Sequence, residues 1–397
     1  MKRYIGTNVM GLRCPIITAE DNIVDIAVDT ILKASEAGNF KIDDRDVVGL
    51  TESIVAKSMN NFATIDDITN DVKNKFNCDE VALIHPIMSR NRFAICLKGI
   101  ARAFKKVYVL LSYPHDEVGN HLCDPDELDN FDINPYGEIV EEKEFKKCFP
   151  DTRHIFTKVD YIEYYKELIE EAGAEAVMLF GNNERNVLKY TKNILVCSIH
   201  TRIRTKEKLK NAGAEKIFCL SEILNTPVNG SGYNEKYGLL GSNKSTENKI
   251  KLFPRDCDNV VYAIQEKIKE KTGKKIEVLV YGDGAFKDPI GKIWELADPV
   301  VSPAFTDGLK GTPNEIKLKY IADNSFAGLK GEKLEEAIKE KIHNKGNNLV
   351  GSMESQGTTP RQLTDLIGSL CDLTSGSGDK GTPIVYIKGY FDNFSEE

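Results

Sequence analysis

Apolar residues recur at helical spacing in NIVDIAVDTILKASEAG (22–38), and the run stops at a glycine, so the pattern predicts a helix closed by a Gly38 cap. DDRDVVGLTESIVAKSM (43–59) then gives a short strand, Val47 to Leu50, a polar Thr51-Glu52-Ser53 turn and a new amphipathic stretch. Between about 80 and 225 the texture changes. EVALIHPIM, KKVYVLLSYP, AEAVMLFG, NILVCSIH and AEKIFCLS read as buried strands, with helical patterns such as RNRFAICLKGIARAF between them. That alternation predicts βαβ units and a parallel sheet. The phrase AGAE, at 172–175 and 212–215, falls each time between a helix and a strand.

NTPVNGSGYNEKYGLLGSNKST (225–246) is rich in Gly, Asn and Ser and marks a boundary or a ligand loop. Mixed α/β patterning resumes beyond it: a helix in CDNVVYAIQEKIKEKTG, a buried strand in EVLVYGD, and a closing helix and strand in LTDLIGSLCDLTSGSGDKGTPIVYIKGY. The expected fold class is α+β, or mixed α/β. A discontinuous domain, 1–79 plus 230–397, is interrupted by an inserted α/β segment, 80–229.

Composition changes this picture little. A chain of 397 residues exceeds the size at which one core keeps growing, which favours two domains. A net charge of -8 argues against nucleic acid as a partner, since phosphate-backbone affinity rests on clustered Lys and Arg. The nine cysteines are scattered and never spaced C-x-x-C, and the chain has no apolar run of signal-peptide or membrane-span length. A reducing, cytoplasmic location without membrane attachment is expected.

Candidate chemistry concentrates where VLVYGDGAFKDP brings Asp283 to the end of a buried strand, with Asp288 five residues on. Open α/β architectures place ligand groups at the carboxyl ends of strands, and paired carboxylates can hold a hard divalent ion. Asp-Gly and Lys-Asp-Pro are also ordinary turn sequences. LTSGSGDKGTP (373–383) lacks P-loop spacing and reads as an αβ connection. YPHDEVGNHLCDPDEL carries metal-competent side chains without zinc spacing, and reads as a polar loop. Arg90, Arg92, Lys98, Arg102, Lys105 and Lys106 form either a solvated helix face or a surface for an anion or RNA.

Several of these stretches together resemble the coenzyme F420-0:gamma-glutamyl ligase family. GLRCPIITAEDNIVDIAVDTI is similar to its Gly-Leu-Pro-x-Ile opening, and DDRDVVGLTESIVAKSM to its Val-Thr-x-Lys-x-Val-Ser-Lys segment, with Thr51 and Lys57 in register. YGLLGSNKST through VLVYGDGAFKDP follows its run from Gly-x-Asp-x-Ser-Asn to Ser-Asp-Thr-Phe-Gly-Arg-Pro. The resemblance covers roughly 1–76 and 233–392 and treats the middle as an insertion.

It implies GTP-dependent formation of a γ-glutamyl amide. A carboxylate on coenzyme F420-0 or a related acidic acceptor is phosphorylated, and L-glutamate displaces the phosphate. It also implies Mg2+ or Mn2+ and a homodimer. By resemblance, Asp283, Asp288 and Asn243 belong to the metal site, Thr51, Lys57 and Ser245 to the nucleotide site, and Lys57 and Lys287 to catalysis. The sequence departs from the family at Gly284, where Thr is expected, at Lys287-Asp288, and at Asn243, which replaces an aspartate. Loss of that acid calls for compensation by Asp288 or Glu247. Two other readings stand beside it: a non-catalytic scaffold that binds a nucleotide or RNA through the basic 90–106 stretch, supported mainly by the changed metal motif, and a metal-dependent phosphohydrolase that uses the same aspartates.

Overall fold

The structure, a computed structural model, describes residues 4–154, 157–283, 300–358, 361–375 and 378–396, so Lys287 and Asp288 lie outside the described residues. Its strands run in chain order as β1 (Asn8–Leu12), β2 (Val47–Thr51), β3 (Phe62–Thr64), β4 (Glu80–Ile84), β5 (Lys106–Leu111), β6 (Val140–Glu141) and β7 (Glu175–Phe180). They continue as β8 (Asn193–Val196), β9 (Lys216–Cys219), β10 (Asn243–Thr246), β11 (Lys249–Lys251), β12 (Glu277–Asp283), β13 (Val300–Phe305) and β14 (Ile384–Lys388). Helices and sheets are mixed throughout, an α+β architecture. The chain divides into two compact units: Met1–Val55 with Asp256–Glu397, and Ala56–Arg255.

The first unit is built on a five-stranded sheet of order β1-β14-β2-β12-β13. β2 and β12 pair in parallel, Val47 opposite Glu277 through Thr51 opposite Tyr281, and the other neighbours are antiparallel. Val47, Val48, Leu50, Val278, Leu279, Val280 and Tyr281 are fully buried, which requires cover on both faces. One face packs on the Leu363–Thr374 helix through Val47, Leu279, Tyr281, Val385 and Ile387 against Ile367 and Cys371. The Cys257–Thr272 helix lies along β12 and β13 and packs on the Ile23–Ala37 helix.

Gly38 does cap the Ile23–Ala37 helix, but with right-handed φ of -85°; the left-handed residue is Asn39, at 50°. Space explains the glycine, because a Cβ there would lie 2.9 Å from the Ala34 carbonyl oxygen and 3.0 Å from the Phe40 ring. Gly49 in β2 answers to the same demand: a Cβ would come within 2.5 Å of Cys371 Sγ.

The amino ends of the two central strands are fixed by buried carboxylates. Asp46, just before β2, accepts from the Tyr386 hydroxyl at 2.6 Å and from the Gly389 and Asp43 amides at 3.2 and 2.9 Å. Burial and this carboxylate hold the Tyr386 phenol far above its ordinary titration range. Glu277, which opens β12, accepts from the Thr306 hydroxyl and the Gly308 amide, and its own amide donates to Asp46 O at 2.7 Å.

The second unit carries a six-stranded sheet of order β6-β7-β5-β4-β8-β9, parallel except for β6 at its edge. Each run read as a buried strand between residues 80 and 221 forms one of its parallel strands. The chain winds outward from β4 through β5 to β7, then returns to β8 on the other side, so the winding reverses between β4 and β8. The AGAE repeats close the Tyr161–Glu171 and Arg202–Asn211 helices, with Gly173 and Gly213 at φ of 87° and 103°, a conformation open to glycine without strain. A small antiparallel sheet, β10-β11-β3, is tied to the chain by buried Asn61, whose amide donates to Phe253 O at 2.6 Å and Tyr233 O at 3.1 Å. Among the described residues, no helix is long and apolar enough to cross a membrane.

Two predictions follow from this packing. Gly49→Ala is expected to destabilise the chain by about 1–3 kcal/mol, read as a lower urea midpoint, because its methyl has no room beside Cys371. A Cys371→Ala partner substitution should recover part of that loss, giving a non-additive double-mutant cycle. In the second unit, His85 at the end of β4 donates from Nε2 to Gly181 O at 2.8 Å. Burial pushes its pKa below the ordinary 6.5, outweighing the Gly181 hydrogen bond and the charges of Glu184 and Glu117, which favour the proton; Lys208 opposes it. The folded state therefore disfavours the imidazolium, and stability present above pH 6.5 falls as the pH drops toward the lowered native value. Urea midpoints measured between pH 7.5 and about 5 should fall in the parent and fall less steeply in His85→Gln.

Candidate functional site

With the amino ends of β2 and β12 anchored, their carboxyl ends emerge side by side. Thr51, last in β2, lies opposite Tyr281, and Asp283 ends β12 two residues further on, its backbone paired with Val300. The Thr51 amide donates to Pro383 O at 3.0 Å, which ties this edge to the start of β14. Thr51 and Asp283 are thus brought together at one corner of the first unit.

The sequence pattern puts Glu52 in a polar turn. It is instead the first residue of the Glu52–Ser58 helix and is 5% exposed. Its side chain packs on the backbone of Gly282, where a Cβ would lie 2.2 Å from Glu52 Cγ. A carboxylate is therefore held against β12 one residue before Asp283, and only glycine at 282 leaves room for it. The signal in the sequence was the glycine next to the aspartate: an isolated glycine in a strand often marks a close approach by another group.

Cys257 opens the Cys257–Thr272 helix, which precedes β12, and lies within electrostatic reach of the same carboxylate. Burial, then the charges of Asp258, Glu52 and Asp256, push its thiol up to about 12. Such a thiol is protonated and unreactive at neutral pH, a packing residue at this corner.

Of the other sequence-predicted residues, those that are described, Lys57, Asn243 and Ser245, lie in the second unit. Lys57 is exposed in the last turn of the Glu52–Ser58 helix. Asn243 opens β10 opposite Lys251, and exposed Ser245 falls at the register shift between Lys244 and Thr246. Glu247, expected to compensate for Asn243, is committed elsewhere: its carboxylate bonds Lys244 and lies 3.6 Å from Lys98. The hydrogen bond from Lys244 lowers its pKa below the carboxylate norm.

A cleft of about 450 Å³ opens in the first unit between the end of β1 and the Ile23–Ala37 helix. Leu12, Pro15 and Ile26 give it an apolar lining, and Arg13, Asp29 and Lys33 bring charge to it. That volume lies in the range of small-ligand pockets. It sits on GLRCP, the stretch with which the family resemblance begins.

The basic stretch from Arg90 to Lys106 is largely neutralised. Lys98 faces Glu247, Arg102 bonds Asp66 at 2.9 Å, Lys105 bonds Asp79 at 2.9 Å, and Lys106 pairs with Glu175 at 2.7 Å. Cations so matched present less net charge to a phosphate backbone. In the histidine-rich loop, Asp116 is buried and accepts from the amides of Met88, Val118 and Asn120. It organises the loop. Among the described residues, no three metal-ligating side chains converge.

A comparison with curated proteins finds no match. The family model described as F420-0:Gamma-glutamyl ligase matches residues 11–389, nearly the whole chain and including the segment between the two parts of the first unit. The chain belongs to the F420-0:gamma-glutamyl ligase family and is an amide-forming ligase.

Proposed function

We propose that the chain joins L-glutamate to coenzyme F420-0 or a related carboxylate-bearing acceptor, with GTP as co-substrate and Mg2+ or Mn2+ bound. The observation that carries this reading is the corner where β2 and β12 end together, with the buried Glu52 carboxylate against Gly282 and Asp283 following it. Carboxylate oxygens are the donors a hard divalent cation takes, so this donor set fits such an ion. Glu52 and Asp283 would hold it, with Asp288 and Asn243 as the further residues named by resemblance. When bound, the ion neutralises charge that builds on a transferring phosphoryl group.

The other steps fall to the chain's own groups. Thr51, Lys57 and Ser245 are assigned to the nucleotide phosphates, and Lys57 and Lys287 to charge stabilisation in transfer. An acceptor carboxylate oxygen bonds the γ-phosphorus as the bond from that phosphorus to the β–γ bridging oxygen breaks, giving an acyl phosphate and GDP. The glutamate nitrogen then attacks the acyl carbon, loses a proton, and expels phosphate. The cleft lined by Arg13, Asp29 and Lys33 has the size of a small-ligand pocket, which supports a small-molecule partner. A cytoplasmic homodimer completes the proposal, with the nine free cysteines favouring a reducing compartment.

Incubating the protein with GTP, Mn2+, L-glutamate and purified coenzyme F420-0 should release phosphate and add the mass of one glutamate residue to the acceptor. Phosphate release that is indifferent to glutamate would instead identify a phosphohydrolase. Asp283→Asn and Glu52→Gln are each expected to lower kcat about 100-fold or more with an unchanged circular dichroism spectrum. Mn2+ affinity, read by electron paramagnetic resonance, should weaken about tenfold or more in both. Full activity and unaltered Mn2+ binding in Glu52→Gln would remove it from the site.

A further inference from the structure

The second unit has a strand-order reversal of its own. In a doubly wound sheet the crevice lies beyond the carboxyl ends of the strands, where the winding reverses. Here that is between β4 and β8, whose ends meet as the Cys197 and Ser198 amides both donate to Ile84 O. The Arg202–Asn211 helix begins four residues later, with Thr201 as its N-cap.

That turn is arranged as an anion cradle. The Ile199 and Thr201 amides donate to the Glu117 carboxylate at 2.5 and 3.1 Å, the His200 amide at 3.3 Å, and the Thr201 hydroxyl at 2.7 Å. An ordinary N-cap threonine accepts from its own helix, whereas Thr201 makes no such bond and donates to the same carboxylate as the three amides. Four donors therefore converge on one anion, and the chain supplies it from a loop more than eighty residues away.

Two observations point past Glu117 as a mere cap. Ser198, immediately before the three amides, is fully buried, and its hydroxyl has no hydrogen-bond partner, an arrangement that costs free energy unless something else accepts or donates there. The first turn of the helix has no acid and carries Arg202 and Arg204, the reverse of the usual charge preference at a helix N-terminus. An excess of positive charge remains at the turn that already holds a carboxylate.

We propose that this turn is a binding site for a phosphate monoester, held by the Ile199, His200 and Thr201 amides with the Ser198 and Thr201 hydroxyls, and that Glu117 is its displaceable intramolecular occupant. A ligand must compete with Glu117, so its apparent affinity is reduced by the fraction of chains in which the carboxylate has left. Removing that carboxylate should expose the affinity of the cradle.

The test uses full-length protein titrated with inorganic phosphate at low salt by calorimetry, with the amide resonances of Ile199, His200 and Thr201 followed by NMR. Glu117→Ala is expected to bind phosphate about tenfold more tightly than the parent or better, with those three resonances shifting. Adding Ser198→Ala should return part of the gain. If Glu117→Ala fails to fold, Glu117→Gln keeps the shape, removes the charge and carries the same expectation. No gain in affinity, or a gain without movement of these resonances, overturns the proposal; the second result would locate the phosphate elsewhere, including the ligase unit.

Discussion

Everything in the first unit depends on one parallel strand pair, β2 with β12. Its members come from opposite sides of an excursion as long as a domain, and parallel neighbours cannot be joined by a tight turn. Closing so long a loop costs only a slowly growing entropy, provided the exit and return points lie together. They do: Glu52, where the chain leaves, and Cys257, where it returns, are within electrostatic reach of one another. Asp46 and Glu277 fix the amino ends of the pair, each carboxylate satisfied by donors from the surrounding segments. Such groups would be costly if buried alone, and fully bonded they set the register. The carboxyl ends bear Thr51 and Asp283.

Much of this layout was legible in periodicity. The strand at Val47, the strand that ends at Asp283, the helix from Cys257 and the parallel run of the second unit all follow from apolar patterns of the right length. The AGAE phrases were readable as helix-end turns because glycine there has a local conformational reason. Gly49 and Gly282 were not readable in that way. What each excludes is a side chain distant in sequence, Cys371 for one and Glu52 for the other. A period of two shows that a residue is buried and says nothing about what lies against it.

Glu52 shows the same limit at the site. In the sequence it stands in a polar triplet between a strand and a helix, where a cap or turn is the ordinary assignment. Its burial arises because β12 pairs beside β2 and presents a glycine at the needed height. Glu247 illustrates the converse: an acid near a candidate ligand in sequence, but exposed and matched by two lysines. Carboxylates with similar prospects on paper differ in whether their charge is already answered.

The division of the first unit across the chain also has a consequence for synthesis. Val47 to Thr51 leave the ribosome long before the strand they pair with in parallel, and at ordinary elongation rates the wait is roughly tens of seconds. Throughout that interval the whole of Ala56–Arg255 is made, a continuous segment with strands enough for its own sheet. The middle of the gene can thus give a finished body while its two flanks remain unassembled. An apolar stretch such as Val47–Leu50 would then be a natural client for chaperones that hold nascent chains.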